Sequence, residues 1–216
     1  MMNIAVLASG RGTNFEAIAK ACIDGKIDAK VAVLIIDRKN IEAIDRAEKL
    51  GINWIYVDPY SFPSREDYDR KVVSILKYLD VELVCLAGYK KVVSKIFVDN
   101  FQNKIMNIHP TLLPSFPGLK PHEKALKFGV KVSGATVHFV DNGVDTGPII
   151  IQAAVPVSPN DTKETLSEKI LRLEHKIYPQ AVKWFVDGRI EIQGRKVIVK
   201  DADYTKLPVV PALEDF

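Results

Sequence analysis

The residues of this 216-residue chain best suited to chemistry are Asn107 and His109, in the run Asn107-Ile108-His109-Pro110-Thr111-Leu112-Leu113-Pro114-Ser115-Phe116-Pro117-Gly118. They leave the end of an apolar run two positions apart, a spacing that puts both side chains on one face of a strand. An amide and an imidazole projecting together can both donate to one developing oxyanion, which suits acyl-type transfer. A lone histidine is more often structural, so its company matters. A second polar stretch, Val140-Asp141-Asn142-Gly143-Val144-Asp145-Thr146-Gly147-Pro148, holds Asp145 between glycine breakers, where a loop can bring it to His109. Asp141 suits a turn. An aspartate beside the ring should raise the imidazole's pKa and lower its own, giving a charged His109 able to donate at neutral pH.

A third constellation is Gly10-Arg11-Gly12, between an apolar run and an amphipathic one. Backbone N–H groups at such a strand-to-helix turn make an anion site, and the two glycines equally serve as a plain tight turn. A dinucleotide fingerprint needs a third glycine where this chain has Phe15, so a single phosphate fits better than a pyrophosphate. Asp37 follows the second apolar run, where a dinucleotide fold carries its ribose-binding acid, and it keeps a nicotinamide-enzyme alternative open.

The elements that must position these residues follow from periodicity. Asn3 to Ala8, Lys30 to Ile36, Trp54 to Val57, Val81 to Ala87 and Lys104 to Ile108 read as strands. Helices are expected after Thr13, whose spacing to Glu16 is that of a capping box, over Ile41 to Leu50 and over Ser64 to Leu79. Strands alternating with helices mean a doubly wound, mostly parallel α/β sheet. Past residue 110 the pattern changes. Val130 to Val140 and Pro148 to Val157 are long β-rich runs around a turn, so an antiparallel C-terminal extension is expected. A helix from Asp161-Thr162-Lys163-Glu164 to about Phe185 and short strands at Arg189 to Ile192 and Lys196 to Val199 follow. The tail from Asp201, with two prolines, should lie across the surface.

Composition narrows the class. Thirty Lys and Arg against 27 Asp and Glu give a net charge of +3, too little for a nucleic-acid coat or a membrane-surface patch. Apolar runs are strand-sized and no leader precedes the first strand, so a soluble cytoplasmic protein is expected. Cys22 and Cys85 lie far apart in apolar stretches and read as two buried thiols of a reducing compartment. No histidine pair has the spacing of a metal site.

The histidine run has the pattern of His, a small hydroxyl residue, Leu-Leu-Pro and a closing Gly. With Asp145-Thr146-Gly147-Pro148 it resembles the signature of the phosphoribosylglycinamide formyltransferases, a folate-dependent family of purine synthesis, over essentially the whole length. The resemblance implies a Rossmann-like formyltransferase fold and formyl transfer from 10-formyltetrahydrofolate, as co-substrate, to the amine of glycinamide ribonucleotide, without a metal. It implies Asn107, His109 and Asp145 as the catalytic set, with Asp145 holding His109 and shuttling protons. It implies Gly12, Thr13, Asn14, Arg65 and Glu174 as contacts of the ribonucleotide, although an exposed helix-start charge and an exposed helix acid are the plain readings of the last two. For the folate it implies Lys90, Lys91, Val92, Val93, Asp141 and Val144. Lys90 and Lys91 depart from the family's apolar-plus-Arg pair, and they suit either the glutamate tail of folate or a solvated surface. Arg11 and Asp37 stand where neutral polar residues are expected. His122 and His138 are placed near the site without a defined role.

The resemblance also implies one formyltransferase domain over 1–216, with a phosphate-binding half at 1–105 and a catalytic and folate-binding half at 106–216. The protein would be a monomer or homodimer acting on small molecules, with no nucleic-acid or membrane partner. Methionyl-tRNA formyltransferase and formyltetrahydrofolate hydrolase share the Asn, His and Asp set, but each carries a further domain for which this length leaves no room. A phosphate-binding module without catalysis is the remaining alternative.

Overall fold

Short apolar runs alternating with amphipathic ones give the first of two compact units a parallel sheet. The computed structural model describes residues 1–214, and this unit comprises 1–107 and 140–142. Its elements are β1 (Met2–Ala8), α1 (Thr13–Ile23), β2 (Ala29–Ile36), α2 (Glu42–Lys49), β3 (Trp54–Tyr56), α3 (Arg65–Tyr78), β4 (Leu83–Leu86), α4 (Lys95–Asn100) and β5, which runs Ile105–His109. The strand order is β3-β2-β1-β4-β5, every pair parallel. Ile4 to Ala8 of β1 are fully buried, because helices cover both faces of a parallel sheet and leave no polar alternation. Tyr68, Val72 and Leu76 of α3 and Phe97 of α4 pack on Leu7 and Ile35.

Helix α1 starts differently from its sequence pattern. Thr13 is its first helical residue rather than its cap; the cap position is Gly12, in the left-handed conformation at φ 74°, and no side chain caps the helix. A Cβ at Gly12 would come within 2.6 Å of the Ala43 Cβ on α2, so only glycine lets the two helices close on this turn. Helix α4 and a short 3-10 turn at Pro59–Ser61 have too few residues to declare a period in the sequence.

The second unit comprises 108–139 and 143 onward. It holds α5 (Pro121–Phe128), β6 (Val132–Phe139), β7 (Ile149–Pro156), α6 (Lys163–Val186), β8 (Ile190–Gln193), β9 (Lys196–Val199) and β10 (Val209–Val210). β6 and β7 are antiparallel, β9 joins β7 in parallel at Ile149 and Lys196, and β8 runs antiparallel to β9. The fold is thus mixed α/β, mostly parallel with some antiparallel strands. Helix α6 begins with a reciprocal box between Thr162 and Thr165 and buries Leu166, Ile170, Ile177 and Trp184. The tail does more than cross the surface: Val209 and Val210 pair with Ala153 and Gln152 as β10. Both cysteines are free thiols, Cys85 buried and Cys22 only half-buried. Among the described residues no helix is long and apolar enough to cross a membrane.

Candidate active site

β5 delivers Asn107, half-buried, and then His109, buried, before the chain turns at Pro110. The loop that follows is pinned from beneath. Thr136 of β6, fully buried, donates its hydroxyl to the Thr111 carbonyl at 2.7 Å and accepts the Leu113 N–H at 3.0 Å. Gln152 of β7 donates to the Leu113 carbonyl at 2.9 Å and to the Thr136 hydroxyl at 3.0 Å, and Thr111 donates to the Ser115 carbonyl at 2.6 Å. Every buried polar group named here has a partner, which is what holds an irregular loop rigid.

Pinned in this way, the loop folds back on its own histidine. Phe116 takes a left-handed φ of 54°, a conformation bulky residues avoid, and its carbonyl oxygen lies 3.0 Å from His109 Nε2. On the other side of the ring, His109 Nδ1 lies 3.2 Å from Asp145 Oδ2. The Gly118 N–H donates to the same Oδ2 at 2.8 Å, and His138 Nε2 lies 3.7 Å from Asp145 Oδ1. Asp145 is itself left-handed, at φ 55°. The aspartate therefore sits between two imidazoles and a backbone amide.

Electrostatics corrects one expectation. Burial pushes the His109 pKa below its ordinary value, and the Asp145 charge and the Phe116 carbonyl only partly offset it, so the pKa is lowered where the pair alone would raise it. Yet both ring nitrogens face acceptors, which only an imidazolium satisfies together. The site thus holds an imidazole whose proton is welcome in geometry and opposed by burial. For Asp145, burial favours the neutral acid. The His138 hydrogen bond, the Gly118 N–H and the His109 charge outweigh it and hold the carboxyl down to about 2. Burial also lowers His122 on α5, with His109 adding to the shift. The resemblance placed His138 near the site without a role, and the carbonyl of Phe116 was not assigned from sequence.

Gly12 and Asn14 are buried and Thr13 half-buried at the start of α1, where N–H groups lack intrahelical acceptors. Glu174 of α6 is buried, not the exposed acid its helix position allowed. Arg65, assigned with the ribonucleotide, lines a cavity of about 380 Å³ with Lys91 and Val92, assigned to the folate; Pro59, Phe62, Pro63, Ser64 and Tyr68 complete the wall. Lys91 Nζ lies 5.8 Å from the Tyr68 ring and 6.0 Å from that of Tyr60.

The segment carrying Lys90 to Val93 is anchored at both ends. Ser9 accepts the Lys90 N–H at 2.9 Å, Tyr68 and Tyr89 share a hydroxyl contact of 2.9 Å, and Asp69 accepts the Ser94 N–H at 2.5 Å. Val93 is buried, Lys90 and Val92 exposed, Asp141 half-buried and Val144 exposed. Among the described residues no three His, Cys, Asp or Glu side chains are grouped as metal ligands would be.

Comparison with known proteins gives one consistent result. Residues 2–182 match the model of the family described as formyl transferase. The phosphoribosylglycinamide formyltransferase of Bacillus subtilis is 42% identical over 183 residues, covering 85% of this chain and 94% of that one. The trifunctional purine biosynthetic protein adenosine-3 of Gallus gallus is 40% identical over 191 residues, which is 88% of this chain but 19% of that protein. The crystal structure of glycinamide ribonucleotide transformylase 1 from Symbiobacterium toebii superposes with a TM-score of 0.92 at 49% identity, covering 93% of this chain and 95% of that one.

Proposed function

The chain belongs to the formyl transferase family, and on that premise we propose that it moves the formyl group of 10-formyltetrahydrofolate onto the amine of glycinamide ribonucleotide, yielding formylglycinamide ribonucleotide and tetrahydrofolate. The observation that carries this is the pair of buried His109, at the start of the pinned loop, and half-buried Asp145, 3.2 Å apart. In purine synthesis such a protein works in the cytoplasm on small molecules, as a monomer or homodimer, with no nucleic-acid or membrane partner. We treat 1–216 as one formyltransferase domain, 1–105 binding the phosphate and 106–216 supplying catalysis and most of the folate contacts.

The amine nitrogen attacks the formyl carbon, the bond from that carbon to N10 of folate breaks, and the proton lost by the amine ends on N10. Asn107 and His109, two positions apart on β5, donate to the formyl oxygen as negative charge develops there. With Nδ1 turned to the Asp145 carboxylate, donation from Nε2 requires the imidazolium, which the Asp145 charge favours against burial. Asp145 orients His109 and passes the amine's proton onward. A carboxyl held near 2 stores no proton at neutral pH, so it relays rather than keeps it.

The N–H groups of Gly12, Thr13 and Asn14 take the ribonucleotide phosphate, and Glu174 takes a donor of the same substrate. Lys90 to Val93, Asp141 and Val144 frame the folate. The cavity beside that segment, cationic at Arg65 and Lys91 and apolar at Phe62 and Val92, suits an aromatic acyl-glutamate, and we therefore move Arg65 from the ribonucleotide to the folate's carboxylates.

Incubating the protein with formyl-labelled 10-formyltetrahydrofolate and glycinamide ribonucleotide should place label in the ribonucleotide product at a rate proportional to enzyme. Release of labelled formate alone, with or without the ribonucleotide, would point instead to a hydrolase.

A further inference from the structure

The glycine turn that receives the phosphate carries a carboxylate in an awkward place. Glu16 lies in the first turn of α1, two positions after Asn14, and a negative charge in the helix turn assigned to a dianion opposes its binding. Its charge is met from α1 by Lys20 Nζ at 2.7 Å and from α2 by Arg46 Nη1. Lys20 is well exposed, its side chain 58% accessible, so solvent weakens its effect; Arg46 is 28% accessible. The guanidinium does a second thing. Its Nε donates to the Arg11 carbonyl at 2.8 Å, in the middle of Gly10-Arg11-Gly12. The same helix donates the Ala43 N–H to the Gly10 carbonyl at 3.3 Å and packs Ala43 on Gly12.

We propose that Arg46 is a positioning residue for ribonucleotide binding: one guanidinium cancels the Glu16 charge beside the phosphate and ties back the Arg11 carbonyl, so that the N–H groups of 12 to 14 alone face the anion. The inference rests on the phosphate assignment of the preceding subsection. Arg46 has no part in formyl transfer itself, and its effect passes entirely through Arg11 and Glu16. Its planar fork serves both tasks at once, which lysine cannot do.

The test is steady-state kinetics on the full chain with both substrates varied, together with inhibition by inorganic phosphate. Arg46→Met should raise KM for the ribonucleotide and Ki for phosphate roughly tenfold or more, the scale of a lost charge-assisted hydrogen bond, while kcat and the folate KM stay within about twofold. Adding Glu16→Gln to Arg46→Met should recover about threefold of that loss, because the uncancelled charge is gone while Arg11 remains untied. Arg46→Lys should fall between wild type and Arg46→Met. If Arg46→Met folds poorly, the lysine variant and the double variant carry the comparison, with melting temperature measured on each. Equal rises in both KM values, an unchanged ribonucleotide KM, or no recovery on adding Glu16→Gln would overturn the proposal. A wild-type protein that transfers no formyl group would sink the functional reading instead, and the phosphate inhibition constants would then have no ribonucleotide reaction to act on.

Discussion

At the scale of the residue, the chemistry turns on how one carboxylate is shared. Asp145 Oδ2 meets His109 and the Gly118 N–H while Oδ1 faces His138, so its negative charge is spread over three polar neighbours. Replacing it with asparagine keeps the shape and removes the charge. The charge of Asp145 is the chief influence raising the His109 pKa against burial, so Asp145→Asn must let it fall further. Imidazole titration by NMR should show the His109 midpoint moving to lower pH in the variant, and kcat should drop roughly a hundredfold or more with both substrate dissociation constants kept. A His109 midpoint that stays or rises would mean that Asp145 does not govern the ring. Types and spacing made Asn107, His109 and Asp145 legible in the sequence. The sign of the His109 shift was not legible, because it depends on how deeply the ring is buried, and burial is a property of the assembled loop. His138 was invisible as a partner for the same reason.

At the scale of the element, the histidine loop is held by what lies under it rather than by its own prolines. Thr136 of β6, buried, and Gln152 of β7, half-buried, meet the backbone of Thr111 and Leu113. Thr136→Val keeps the volume but strands the Leu113 N–H and deprives the Thr111 carbonyl of its donor, in a position with no solvent access. Each of the two orphaned groups costs about 1–3 kcal/mol, so the melting temperature should fall by roughly 4–24 °C. Turnover should fall with it, because the His109 ring is aimed by this loop. A stable variant with normal turnover would mean the loop is fixed elsewhere. Periodicity alone made the strands and long helices readable. It misled at Thr13, where the sequence has a capping-box spacing but Gly12 takes the cap and Glu16 turns to Lys20 and Arg46. It also missed β10, since a two-residue strand beside prolines owes its pairing to β7 rather than to any pattern of its own.

At the scale of the whole molecule, the question is which family of ligands the protein recognises, because a parallel sheet with a glycine turn also serves dinucleotides. One feature favours a dinucleotide: Asp37, buried after β2, has an Oδ1 with no hydrogen-bond partner and would suit a ribose hydroxyl. Against it stands Phe15, fully buried on α1 where a third glycine would have to let a pyrophosphate pass. Gly12 is likewise committed, packed on Ala43 with no space for a wider turn. Steric closure outweighs a single available acceptor, since an acid can wait for water but a ring cannot vanish. Binding to the native state alone stabilises by mass action, about 2.7 kcal/mol at a ligand concentration of 100 Kd. For a chain of 216 residues that corresponds to a rise in melting temperature of roughly 5–10 °C. A reduced folate at such a concentration should produce it, and glycinamide ribonucleotide should do the same by itself. NAD and NADP at millimolar concentration should leave the transition where it is. Stabilisation by NAD without any response to folate would assign Asp37 to a ribose and overturn the formyl-transfer reading; stabilisation by folate with an unmoved transition in NAD would leave Asp37 as a buried acid at the end of β2 with no ribose to bind.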